Sequence, residues 1–164
     1  QETQMITYVK GNAITLAEKG NYVAFAHGCN CLCRMGRGIA KEVKDRLPEM
    51  WDADRVTGFG DRRKLGNFSS ARFPWGIGYN MYTQFSHSDK DDMVDWDQLP
   101  NVLDRVFEDM LKNKLTTLII PKICSGLARG HLTEEQAWAR VVHALEHTCP
   151  KKIKVLVVEY DPHA

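Results

Sequence analysis

Nowhere in this 164-residue chain does an apolar run approach the roughly 18 residues that a membrane-spanning helix needs, and its first residues lack the apolar stretch of a secretory leader. An excess of charge of one sign is also missing. The 22 basic and 21 acidic side chains leave a formal charge of +1, which argues against a surface dedicated to nucleic acid or anionic membrane. Five cysteines, an odd number in no spaced framework, exclude a disulfide scaffold and fit a reducing compartment. No repeat or linker interrupts the chain. These absences lead to the expectation of a cytoplasmic, monomeric protein. Residues 1–164 form one domain large enough to bury a core unaided, behind a loose polar segment at residues 1–4.

What is present alternates between strand and helix patterns. Met5 to Val9 is rich in β-branched and aromatic residues and stops at Gly11, so it reads as a first strand; a short connector follows, with Gly20-Asn21 as its turn. Tyr22 to Ala26 reads as an apolar strand, His27 to Gly38 as a glycine-bearing loop, and Ile39 to Leu47 as a helix closed by Pro48. Residues 50 to 65 lose all periodicity and read as irregular surface. Phe68 to Phe73 and Tyr79 to Phe85 form a hairpin across Pro74-Trp75-Gly76, and the charged run from His87 to Asp92 is a solvated loop. Gln98 to Asn113 has one buried helical stripe, and Leu115 to Ile120 is the continuous apolar run of a central strand. A second glycine loop, Lys122 to Gly130, precedes a helix announced by the capping-box spacing of Thr133 and Gln136, and Lys154 to Tyr160 supplies the last strand. The sum is an α/β domain with helices on both faces of a sheet.

Both glycine loops fall after strands, at the sheet edge where such folds bind ligands. A strand that feeds a glycine loop opening a helix leaves backbone N–H groups and the positive helix end facing outward, and phosphate is the natural guest. Cys29, Cys31 and Cys33 do not make a metal site, because alternating spacing sends their side chains apart and no Cys-x-x-Cys or histidine pair completes a tetrahedral set. Cys124 and Cys149 read as core thiols. Two phosphatase signatures fail: Cys29 to Arg34 and Cys124 to Arg129 are each one residue short of Cys-x5-Arg, and Asp52-x-Asp54-x-Val56 does not follow a buried strand. The short basic runs at Arg62 to Lys64 and Lys151-Lys152 have no interleaved aromatics and read as solvated surface.

Four blocks carry a resemblance: Tyr8-Val-Lys-Gly-Asn12, Ala26-His27-Gly-Cys-Asn30-Cys, Met35-Gly36-Arg-Gly38-Ile-Ala40 and Pro121-Lys-Ile-Cys-Ser125-Gly126-Leu127. In this order, over essentially the whole chain, they resemble a macro domain. The resemblance implies a three-layer α/β/α fold around a central mixed, mostly parallel sheet, and ADP-ribose as ligand, with no metal or cofactor. Asn12 stands where an adenine-recognising aspartate is usual, flanked by Ala13 and Ile14, and Tyr160 offers a ring for the base to stack on. Gly36, Gly38 and Ile39 lend N–H groups to the diphosphate, with Met35 and Ala40 beside them. Ser125, Gly126 and Leu127 close from the other side, joined by Pro121, Ile123 and Ala128 as further substrate contacts. Arg37 either pairs with phosphate or points into solvent.

Within the family, the His-x-Cys-Asn-Cys run is similar to the phosphatases that act on ADP-ribose 1″-phosphate, a by-product of tRNA splicing. The Cys-Arg-Met-Gly-x-Gly-Ile-Ala run is similar to the terminal ADP-ribose glycohydrolases. That second branch uses a lysine and an aspartate where this sequence has Gln84 and Ala128, and neither can form the amine adduct or move the proton. The resemblance therefore implies hydrolysis of ADP-ribose 1″-phosphate, with His27 as nucleophile or general acid/base and Asn30 holding the ribose or phosphate. A non-catalytic ADP-ribose reader is the alternative, and a glycohydrolase with a rearranged site is a third.

Overall fold

In the computed structural model, residues 6–163 are described. Residues 1–4, for which the sequence predicts a loose terminus, and Met5, predicted to open the first strand, lie outside them. Six strands, β1 (Ile6–Gly11), β2 (Val23–Cys29), β3 (Phe68–Phe73), β4 (Gly76–Tyr82), β5 (Thr117–Pro121) and β6 (Lys154–Tyr160), form one sheet in the order β1-β6-β5-β2-β4-β3. All neighbours run parallel except the edge pair of β3 and β4. Five helices cover it: α1 (Ala13–Glu18), α2 (Gly38–Arg46), α3 (Pro48–Arg55), α4 (Leu99–Lys112) and α5 (Glu134–Thr148).

Strand alternation divides the core in two. Ala24 and Ala26 of β2 face the apolar stripes of α4 and α5, while Phe25 and Cys29 face α1, α2 and α3. The result is the three-layer α/β/α arrangement with a mixed, mostly parallel sheet that the sequence predicts.

Four local predictions are corrected. The connector after Gly11 is the helix α1, capped by Asn12, whose side chain accepts the Thr15 N–H at 2.9 Å. The irregular surface predicted for residues 50–65 holds α3: Pro48, which stops α2, occupies the first turn of α3, where its missing N–H costs nothing, with Glu49 beside it and Arg55 in the last turn. The strand β4 begins three residues earlier than predicted, because the hairpin turn is only Pro74-Trp75. The strand β2 also continues through His27 to Cys29, its ladder to β4 running His27 to Asn80, Gly28 to Met81 and Cys29 to Tyr82. Among the described residues, no helix is long and apolar enough to cross a membrane.

Candidate functional site

The parallel strands β1, β2, β5 and β6 all end on one edge, and a cleft of two chambers lies over their carboxyl ends. The first, about 500 Å3, is lined by Gly11, Asn12, Ala13, Glu42, Pro121, Val158 and Tyr160. The second, about 390 Å3, is lined by Gly28, Cys29, Asn30, Arg34, Gly36, Arg37, Ala40, Gln84, His87, Leu127 and Ala128. Gly38 and Ile39, at the start of α2, line both, so the chambers share that wall. The combined space suits a dinucleotide-sized ligand.

The N-terminus of α2 is built to hold an anion. Arg37 sits at its N-cap in extended backbone and makes no capping hydrogen bond, and the first intrahelical bond runs from Lys41 N–H to Arg37 O. The N–H groups of Gly38, Ile39 and Ala40 precede it and point at the cleft with the positive end of the helix dipole. By contrast α1 and α5 are closed by Asn12 and Thr133. Gly38 has φ of 56°, a left-handed conformation that favours glycine, whereas a Cβ built on Gly36 would meet nothing within 4 Å.

The second loop contributes less than the sequence predicts. Leu127 and Ala128 line the distal chamber and Pro121 the proximal one, but Ile123 and Ser125 are buried, with Ser125 Oγ donating to Ile123 O at 3.1 Å. Met35 and Ile14 are core residues, 2% and 0% exposed. Ile14, Met35 and Ile123 are corrections, since their side chains fill the layer beneath the cleft; the burial of the Ser125 side chain does not touch the main-chain role expected of Ser125 to Leu127. Tyr160 stands at the proximal rim, 73% exposed, as stacking on a base requires.

His27 is the largest correction. The sequence reading places it in the loop at the distal sugar, yet its extra strand residues keep it inside the sheet, 0% exposed, stacked on Phe25 at 5.9 Å between centroids. The residue that reaches the cleft floor is Cys29, two positions on, about 6.6 Å along the strand. Asn80 amide nitrogen donates to Met50 O and Ser69 Oγ, so its Oδ1 accepts, and His27 Nε2 carries the proton of the 2.7 Å bond between them. The donors continue in one direction: Ser69 Oγ to Tyr82 Oη at 2.8 Å, then Tyr82 to the Asp54 carboxylate at 2.7 Å, both at the ordinary length of such bonds. This buried chain ties β2 to β4, β3 and α3, which is reason enough for a histidine there.

Burial lowers the His27 pKa to about 4, against the opposing pull of the Asn80 bond. Because the unfolded ring titrates near its ordinary value of 6.5, the unfolded state binds more protons between these limits. Stability is then complete above pH 6.5 and lost as pH falls toward 4, by about 3 kcal/mol. Urea titrations at pH 7, 5.5 and 4.5 should show this slope in the wild type and a flatter one in His27→Gln, whose acid-insensitive amide cannot gain the charge. His27→Ala, which leaves Asn80 Oδ1 unpaired beside a cavity, should cost about 2 to 4 kcal/mol at pH 7.

Cys29 is no substitute nucleophile, since burial raises its thiol pKa well above the ordinary range and keeps it protonated. Asn30, 8% exposed, lines the distal chamber, but its side chain organises the loop, donating to Arg34 O and accepting from Leu32 N and Arg34 N. Gln84 and Ala128 both line this chamber, so the two departures from the glycohydrolase pattern face one cavity. Among the described residues, no lysine and no carboxylate lines that chamber, and its charged or titratable groups besides the buried thiol are Arg34, Arg37 and the exposed His87.

Asn12 also differs from its expected role. Its Oδ1 accepts from Thr15 N and, at 3.3 Å, from Arg46 Nη1, and its Nδ2 donates to Glu42 Oε2 at 2.8 Å. Both ends of the amide are committed, so the side chain caps α1 and braces Glu42. An aspartate at 12 would set two carboxylates against each other, which accounts for the amide. Glu42, Arg34 and His87 lie outside the site residues that the sequence points to, and Gln84 enters there only as the residue at the place of the glycohydrolase lysine. Of the first three, only Glu42 carried a signal, being one turn after Gly38 on the same helical face.

A mixed six-stranded sheet between two helical layers, with a two-chambered cleft above the strand ends and an uncapped helix at its waist, is the macro domain fold. No family model matches the chain. It is 28% identical, over 96% of its length and 98% of the relative's, to the uncharacterized 17.5 kDa protein in the tk-vs intergenic region of Enterobacteria phage T4. The macrodomain protein from Streptomyces coelicolor is 27% identical and superposes with a TM-score of 0.72 over 95% of this chain and 98% of that one. Thermosipho africanus DarTG, solved in complex with ADP-ribose, shares the fold at 16% identity, TM-score 0.70, over 99% of this chain and 43% of its own.

Proposed function

We propose that this protein binds ADP-ribose, with the adenosine in the proximal chamber, the diphosphate across the start of α2 and the second ribose in the distal chamber, and that it favours the form phosphorylated at the distal ribose. The carrying observation is the opposite polarity of the two ends. Glu42, its charge offset by Arg46 at 2.7 Å, and Tyr160 line the proximal chamber, whereas Arg34, Arg37 and His87 line the distal one with no carboxylate among the described residues. An extra phosphate at the distal end would meet positive charge and no repulsion. Calorimetry should show ADP-ribose 1″-phosphate binding about ten-fold more tightly than ADP-ribose at low salt. Equal affinities would remove the phosphorylated form as the preferred ligand.

A second reading, hydrolysis of that 1″-phosphate, is favoured by the position of His87. An exposed imidazole at the distal chamber can protonate the departing sugar oxygen or deprotonate water, a task for which buried His27 is badly placed. If the reading holds, phosphate release falls about 100-fold or more in His87→Ala and survives in His27→Gln. Tight binding with no release at all would leave a binding module.

A further inference from the structure

We propose that Glu42, and not Asn12, is the residue that selects the base, accepting a hydrogen bond from an exocyclic amine of a purine; this rests on the ADP-ribose reading above. Glu42 projects from the first turns of α2 into the proximal chamber. One of its oxygens, Oε2, is fixed by two donors, Asn12 Nδ2 at 2.8 Å and Arg46 Nη1 at 2.7 Å. Arg46 is held in turn by Glu18 and by Thr15 Oγ1, so the carboxylate is clamped from behind by groups on two helices. Its second oxygen, Oε1, accepts no hydrogen bond among the described residues.

A carboxylate with one oxygen anchored and the other free is an oriented acceptor, and a ligand that donates there meets it without reorganisation. The walls around it are apolar and flat: Ile39, Pro121, Val158 and the exposed ring of Tyr160. That combination takes an aromatic ring bearing an N–H donor at its edge. A purine with a carbonyl in place of the amine would set its lone pairs against the free carboxylate oxygen, and rejection of that ligand is the stronger half of the selectivity. Asn12 cannot do this work, because its one carbonyl already serves Thr15 N–H and Arg46.

The test compares ADP-ribose with inosine 5′-diphosphoribose, which differs only in the base and has no exocyclic amine. Calorimetry on the wild type should give a preference for ADP-ribose of about ten-fold or more. Glu42→Gln, isosteric and able to donate as well as accept, should bring the ratio to within about two-fold of unity, and Glu42→Ala should do the same with weaker binding of ADP-ribose. Thermal melts of both variants verify that they are folded, and Glu42→Gln keeps the test usable if loss of the Arg46 clamp unfolds Glu42→Ala. A wild-type preference that persists unchanged in folded Glu42→Gln overturns the role of Glu42 and leaves ADP-ribose binding standing. Failure of the wild type to bind either compound overturns the ADP-ribose reading itself and takes this inference with it.

Discussion

Gly36→Val should lower affinity for ADP-ribose by about 100-fold while leaving the melting temperature within about 2 °C of the wild type. The two halves of this expectation come from one observation. Gly36 does not have positive φ, and a Cβ built on it would touch nothing within 4 Å, so neither the backbone nor the packing of the protein needs a glycine there. The empty space lies at the distal chamber, immediately before the uncapped start of α2, where a diphosphate must approach the N–H groups of Gly38 and Ile39 to within hydrogen-bond distance. Two γ-methyls in that path hold the phosphate off the donors, and the loss of two charge-assisted hydrogen bonds accounts for the predicted factor. Gly36→Ala should fall between. If Gly36→Val binds ADP-ribose like the wild type, the diphosphate does not cross this loop and the proposed ligand pose is wrong.

Gly76→Ala is the complementary case, in which stability falls and the cleft is untouched. Gly76 has φ of 148°, and its added Cβ would lie 1.7 Å from the carbonyl oxygen of Val23. That atom cannot step aside. Val23 pairs with Gly76 across the parallel ladder, and its N–H is bonded to Trp75 O at 2.8 Å, so the clash sits where the β3-β4 hairpin locks onto the central strand. Relief requires opening the ladder or distorting the turn, and the expected cost is about 3 to 5 kcal/mol. Set against a total of about 5 to 15 kcal/mol, this should lower the melting temperature by roughly 10 °C or prevent accumulation of folded protein. A stable Gly76→Ala variant with native melting would mean that the hairpin register differs from the one described.

Much of the fold was legible because it rests on local rules. The stripe of Leu99, Leu103, Val106 and Met110, the capping box at Thr133 and Gln136 and the apolar run ending at Ile120 each declare their element from spacing alone. The helix α3 was hidden because its face is only partly apolar, with buried Asp54 held by Tyr82 where a hydrophobic residue would have signalled the period. The start of β4 was hidden because Gly76 and Gly78 look like turn residues, although Gly76 is required by the close approach of β2. Of the site, the glycine loop and Tyr160 could be read, since backbone donors and a terminal aromatic follow from position in a strand-loop-helix unit. His87 could not, since it meets the cleft from a segment that sequence spacing does not relate to the glycine loops; Glu42, one turn after Gly38, and Gln84, at the place of the glycohydrolase lysine, each left a partial signal.

The amino-acid sequence by itself determined the alternation of strands and helices, the two glycine loops at one sheet edge and the glycine-opened start of α2, because periodicity, capping and glycine content act within a few residues of chain. Only the tertiary structure decided which side chains face the ligand. Ending β2 at Cys29 rather than Ala26 is a matter of pairing with Asn80, Met81 and Tyr82, and those three residues of extra ladder move His27 from the cleft into a buried hydrogen-bond chain. The commitment of Asn12 to Glu42 and Arg46 likewise depends on α1 and α2 lying side by side, a long-range contact that no local pattern encodes.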